Sequence, residues 1–231
     1  MNIIWLGHSG FRIETGDTVL LIDPWLTGNP MFPEERRAEA IAGATHIFVT
    51  HGHGDHTGDT IAIARELGIP VHGIYDLMTW WEEKEGIEVV GFNKGGTVDL
   101  GTVQVTMVNA THSSSLGNGA DGPIYGGHES GYVITTPNHV VYFSGDTDVM
   151  ADMEIINDLH KPDIGILAAG GYFTMDMRRA GYAAQKFFDF KTVIPCHYRT
   201  FPLLAQSADE LKTALPDVDV IEPQVLEPIS L

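Results

Sequence analysis

Three imidazoles and one carboxylate fall within six consecutive positions of Thr50-His51-Gly52-His53-Gly54-Asp55-His56-Thr57-Gly58. Neutral imidazole and carboxylate are the donors that divalent first-row metals prefer. Gly52 and Gly54 let the backbone turn sharply, so that neighbouring side chains can converge on one point. Capping a helix or closing a turn needs one such side chain rather than four, so a solvated polar loop is a poor account of the run. Further donors stand at His112, Asp146 and His197. The candidates are then seven: His51, His53, Asp55, His56, His112, Asp146 and His197. One tetrahedral ion takes about four ligands, one of them water in a catalytic site. Seven fit two ions if a carboxylate bridges. Two ions about 3.5–4 Å apart can share a hydroxide, a nucleophile near neutral pH.

Apolar runs mark the elements that must carry these donors. Ala44 to Val49 reads as a buried strand and Asp59 to Leu67 as a helix, which puts the run in a strand-to-helix loop. His112 follows a β-rich stretch ending at Val108, Asp146 follows Val140 to Phe143, and His197 follows Thr192 to Cys196. Donors at the carboxyl ends of strands can share one cleft, as in other α/β enzymes.

The rest of the chain reads in order. Met1 to Leu6, Phe11 to Glu14 and Val19 to Ile22 form an opening antiparallel meander, and Glu34 to Ile41 a short helix. Val71 to Ile74 and Glu88 to Gly91 are strands, with a helix Asp76 to Glu85 capped by Gly86 between them. This alternation implies a parallel portion of sheet. A hairpin turn at Val98 to Thr102 leads into Val103 to Val108. Ser113 to Gly127 reads as a mobile loop without apolar period. Strands at Gly131 to Thr135, Val140 to Phe143, Ile164 to Ala168, Thr192 to Cys196 and Val218 to Ile221 alternate with helices Met153 to Leu159, Arg178 to Asp189 and Ala208 to Leu215. Strands and helices mix in both halves, each opened by a hairpin. The expectation is two similar α/β halves packed sheet against sheet with helices outside, in one domain over 1–231.

Composition sets bounds. The chain has 231 residues, 43% hydrophobic and 19% charged, enough for a full-sized core. The net charge of −18 repels nucleic-acid backbones and anionic membranes, although bound cations can reverse the potential locally for a small anionic substrate. No window suits a membrane span and no secretory signal is visible. One cysteine, Cys196, points to a reducing, cytoplasmic compartment; inside an apolar run it reads as a buried small hydrophobe.

His51-Gly52-His53-Gly54-Asp55-His56 matches the His-x-His-x-Asp-His signature of the metallo-β-lactamase superfamily. His112, Gly145-Asp146-Thr147 and His197 match its later motifs in order, so the resemblance covers nearly the whole chain. Gly7-His8-Ser9-Gly10-Phe11, Ile22-Asp23-Pro24-Trp25, Phe173-Thr174-Met175 and His197-Tyr198 with Thr200-Phe201-Pro202 resemble the branch of small metal-dependent hydrolases close to ascorbate-6-phosphate lactonase. The resemblance implies an α/β (α+β) fold, a four-layer αββα sandwich. It implies two divalent ions, zinc first and Mn, Fe, Co or Ni as alternatives. His51, His53 and His112 would hold one ion, Asp55, His56 and His197 the other, and Asp146 would bridge them. Asp23 would fix ligand orientation through a hydrogen bond from the signature loop.

A bridging hydroxide would then attack a carbonyl or phosphoryl centre, with Asp55 or a metal-bound water protonating the leaving group. Arg199 and Met177 depart from the branch's pattern, and His128 has no counterpart in it. His8, Tyr198 and Arg199 are the candidates for a substrate pocket. For His8 a turn histidine bonded to backbone is an equal reading, and for Arg199 a surface ion pair. His46, His72, His139 and His160 receive no function. The function expected is hydrolysis of a lactone, ester or phosphodiester bond of a small molecule. The alternatives are a phosphodiesterase of nucleotide or lipid-type substrates, a di-iron redox protein of the same fold, and a non-catalytic metal-binding protein. Self-association is open on sequence alone.

Overall fold

A switch from antiparallel to parallel strand pairing occurs in each of the two seven-stranded sheets, and the candidate donors follow from it. A computed structural model describes residues 1–117 and 122–231. The chain divides into two compact units: Met1–Gly96 with Ser113–Glu129 and Gln224–Leu231, and Thr97–His112 with Ser130–Pro223.

In the first unit the sheet runs Pro228–Ser230, Asn2–Trp5, Phe11–Thr15, Thr18–Ile22, His46–Phe48, Val71–Ile74, Val89–Phe92. The strands up to Thr18–Ile22 pair antiparallel, and from that strand onward they pair parallel. Asn2–Trp5 alternates half-buried and buried residues, as a two-period strand should, whereas Val71–Ile74 is buried throughout. Gly86 ends the helix Tyr75–Glu85 in the left-handed region, φ +63, which glycine adopts without strain.

The second unit repeats the plan. Its order is Thr97–Asp99, Gln104–Asn109, Ser130–Thr135, Val140–Phe143, Ile164–Ala168, Thr192–Cys196, Asp219–Val220. Pairing is antiparallel up to Val140–Phe143 and parallel beyond it. Ile164–Ala168 and Thr192–Cys196 are buried at every position, including Cys196, so both faces of these strands are covered. Such strands carry near-continuous apolar runs, which made them legible. Among the described residues no helix is long and apolar enough to cross a membrane.

Three elements differ from expectation. The signature does not lie wholly in a loop: Gly54–Thr57 is a helical turn, separate from the helix Thr60–Leu67, because the His56 and Thr57 amides both bond the His53 carbonyl. The stretch Ser113 to Gly127 contains a short ribbon, Ser115–Leu116 against Ile124–Tyr125, so it is not all loop; its residues 118–121 lie outside the described residues. The strand Pro228–Ser230 had no sequence signal. It begins with proline and sits at the sheet edge, where a missing amide is tolerated, and its partner Asn2–Trp5 is at the other end of the chain.

His72 shows how burial acts on the histidines without a function. It is 2% exposed and stacks on Phe48 at 4.4 Å, and burial holds its pKa down at about 4. At this site the folded protein therefore binds fewer protons than the unfolded chain between about pH 4 and the ordinary imidazole value. The contribution of His72 to stability should be full above about pH 6.5 and fall by about 3 kcal/mol as pH drops to 4. Urea titrations of wild type and His72→Phe across that range check this: the variant should lose that share of the acid slope.

Candidate metal centre

The first unit supplies His8, Asp23 and the signature residues. Antiparallel alternation puts the carboxyl ends of Asn2–Trp5 and Thr18–Ile22 at one sheet edge, and the parallel strand His46–Phe48 ends there too. His8, Asp23 and Thr50–His51 follow those three ends. Asp23, fully buried, is the hub. Its Oδ1 accepts from the Thr50 amide at 2.7 Å, and its Oδ2 accepts from the Thr50 hydroxyl at 2.6 Å and faces His56 Nδ1 at 2.8 Å. Burial pushes the Asp23 carboxyl above the usual carboxylate range, and the His56 imidazole and Thr50 donors pull it back part of the way.

This wiring selects tautomers. The one Thr50 hydroxyl proton goes to Asp23, so its oxygen accepts from His51 Nδ1, 3.0 Å away. His56 likewise donates from Nδ1. Both rings then present the Nε2 lone pair as the metal donor, the arrangement by which an outer hydrogen bond fixes a ligating histidine. Asp23, His51 and His56 each offer an atom within 4.8 Å of the others. His51 Nε2 faces His53 Nδ1 at 2.9 Å, and Ser113 Oγ lies 3.5 Å from His53 Nε2.

His8 is fully buried, takes φ +53, and places Nε2 3.0 Å from Asp55 Oδ2. Its ring meets Trp25 edge-on at 5.4 Å. Trp25 is held in turn. The Asp59 carboxylate accepts from the Leu26 and Thr27 amides at 2.7 and 2.8 Å, and a Cβ at Gly58 would stand 2.7 Å from Trp25 Cδ1. Thr50, Asp59, Trp25 and Ser113 are supports that the sequence reading did not assign. For Asp59 the signal was a carboxylate three residues after His56 at a helix start. His8→Asn tolerates the left-handed backbone but cannot reach Asp55. Its metal affinity, from chelator competition, should fall roughly 10–100-fold; unchanged affinity would show that Asp55 is held by other means.

The second unit supplies His112, Asp146 and His197. The strands Gln104–Asn109, Val140–Phe143 and Thr192–Cys196 all end at one edge of its sheet. Asp146, 2% exposed, presents Oδ2 3.5 Å from His112 Nε2 and 3.1 Å from His197 Nε2. His197 takes φ +54 and Arg199 φ +66, the left-handed region that L-residues adopt uncommonly. Tyr198 between them is fully buried. Burial pushes its phenol up to about 12, against the pull of Arg199, whose guanidinium lies 5.8 Å from the ring centre.

These donors fit a divalent cation. With metal–nitrogen bonds of about 2.0–2.1 Å, neighbouring ligands of a tetrahedral ion lie about 3.3 Å apart and those of an octahedral ion about 2.9 Å. The separations within the two units, 2.9, 3.1 and 3.5 Å, bracket those edges.

The comparisons agree. Residues 18–198 match the β-lactamase superfamily domain. A UPF0173 metal-dependent hydrolase of Cereibacter sphaeroides is 69% identical over 231 residues, all of both chains. One from Paracoccus denitrificans is 68% identical over the same span. Igni18, a metallo hydrolase of the archaeon Ignicoccus hospitalis, superposes with a TM-score of 0.85 at 29% identity, covering 99% of this chain and 97% of its own. The mixed α/β architecture with two large sheets is that of the metallo-β-lactamase fold. With signature, sheets and relatives in agreement, the chain belongs to the β-lactamase superfamily and is a metal-dependent hydrolase of its UPF0173 group.

Proposed function

We propose that this chain is a dinuclear hydrolase that cleaves a lactone, ester or phosphodiester bond of a small molecule. His51, His53 and His112 would hold one cation, Asp55, His56 and His197 the other, with Asp146 shared. Zinc is the first candidate, and Mn, Fe, Co or Ni suit the same donors. When bound, the cations supply a nucleophilic hydroxide at neutral pH and polarise the scissile group.

The observation that carries this reading is the Asp23 hub, which sets both His51 and His56 to donate through Nε2. A structural histidine needs no such fixing of its tautomer. Asp55, held by His8, would pass a proton to the leaving oxygen. In a chain of net charge −18, Arg199 is the cation nearest His197 in sequence, and it suits an anionic substrate. Tyr198 and His8 act from behind, Tyr198 by backing the guanidinium and His8 through Asp55. Both units belong to one hydrolase domain over 1–231. The superfamily match across residues 18–198 supports this, as it includes parts of both units. The single cysteine supports a cytoplasmic location.

Elemental analysis of the native protein should give two ions per chain. The loaded protein should then turn over a panel of lactones, esters and bis(4-nitrophenyl) phosphate. One ion per chain, or a fully loaded protein that is silent across the panel, would overturn the reading.

A further inference from the structure

The strand Ile164–Ala168 ends at the same sheet edge as Thr192–Cys196, and the loop that follows it carries Tyr172 and Phe173. Tyr172 has φ +61, and the Phe173 amide bonds the Gly171 carbonyl at 2.7 Å. An i to i+2 bond around a positive-φ residue marks the rare, strained form of γ-turn, and a bulky side chain there is disfavoured. The turn is pinned on both sides. Gly171 N bonds Met175 O at 2.8 Å, and Met175 N bonds Thr147 O at 3.1 Å, next to Asp146. Asp176 then caps the helix Met177–Phe187 by accepting from the Arg179 amide.

This strained, pinned turn holds two aromatic rings in water. Tyr172 is 75% exposed and Phe173 49% exposed. Exposed apolar side chains are common singly; here two rings stand together on one strained turn. The rings stand nearly perpendicular, 4.7 Å apart, and Phe173 lies 6.5 Å from the His197 imidazole. A perpendicular pair offers one ring face and one ring edge. A flat aromatic group can stack on the first and meet the second edge-on. Strain held at Tyr172, with its neighbour Phe173 6.5 Å from a candidate metal ligand, fits a substrate clamp.

We propose that Tyr172 and Phe173 form a platform that binds an aryl group of the substrate beside His197 and so sets the enzyme's specificity. The proposal rests on the hydrolase reading above and narrows its substrate class.

Two lactones test it, δ-methyl-δ-valerolactone and δ-phenyl-δ-valerolactone, which share the ring and a secondary alkoxide leaving group. A third probe, 2-phenyltetrahydropyran, lacks the carbonyl and reads binding alone by ligand-observed NMR. The metal-loaded wild type should favour the phenyl lactone roughly tenfold in kcat/KM. In Tyr172→Ala and Phe173→Ala that preference should collapse to about twofold through KM, with the ether bound roughly tenfold more weakly. Tyr172→Phe keeps the ring and should keep the affinity, which separates a lost platform from a disturbed loop. If the ether binds wild type and both alanine variants alike, or the wild type turns over both lactones without preference, the platform is wrong. If the wild type hydrolyses neither lactone yet binds the ether more tightly than the variants do, the platform stands and the proposed bond class falls.

Discussion

Asp146→Ala protein should emerge with one ion per chain or none, and with kcat/KM reduced roughly 10³-fold or more. The carboxylate is nearly inaccessible to water and its Oδ2 stands between His112 and His197. Its backbone is fixed on both sides. Ser144 N bonds Ile166 O at 2.9 Å, and the Thr147 hydroxyl accepts from the Thr111 amide at 3.0 Å. Neighbouring side chains therefore cannot move in to replace it. Truncation removes the carboxylate proposed to be shared and leaves two imidazoles facing a space where a cation would lack its charge partner. A thermal measurement separates this from misfolding. Ligands that bind only the folded state raise its melting temperature. Wild type should gain stability when metal is added, and Asp146→Ala should gain much less from a comparable metal-free starting point. A variant that retained two ions and wild-type turnover would end the case for a shared carboxylate.

Gly170→Ala should destabilise the fold by about 3 kcal/mol or more. A Cβ there would stand 1.8 Å from the His197 carbonyl oxygen and 2.9 Å from its carbon. That oxygen is backbone, so no side-chain rotation relieves the clash. The strands on either side are locked in register, Ala168 opposite Cys196, with Ala169 N on Cys196 O at 3.0 Å and Ala205 N on Gly170 O at 2.8 Å. Accommodation must shift His197 itself, so metal binding should weaken along with stability. Gly43→Ala is the comparison: it has φ +66 but open space around it, and should cost only about 1–2 kcal/mol of backbone strain. Urea unfolding of the two variants, with metal content beside it, reads both effects. Equal stabilities would show that the close approach at Gly170 yields without penalty.

The candidate donors could be read from the chain because metal chemistry is written in residue types and short spacings. His51, His53, Asp55 and His56 fall within six consecutive positions, and Gly52 and Gly54 between them announce convergence. The strands could be read because those covered on both faces, such as Thr192–Cys196, are apolar without interruption. The strand Pro228–Ser230 was not legible, since its pairing with Asn2–Trp5 joins opposite ends of the chain and leaves no local pattern. The ribbon at Ser115–Leu116 was hidden for a related reason. Its anchor is Ser114, which takes the distant Gly52 amide at 3.1 Å.

Residue order by itself named seven candidate donors and an α/β chain of two similar halves, and its signature carried the resemblance to metal-dependent hydrolases. Tertiary structure decided which nitrogen of His51 and His56 is the donor, that His8 serves Asp55, and that Tyr172 is held outward under strain. The physical reason is range. Donor identity and apolar period are properties of adjacent residues. A tautomer, a left-handed backbone at His8 or His197, and a glycine required by a carbonyl 27 residues away follow from groups that meet only once strands are in register.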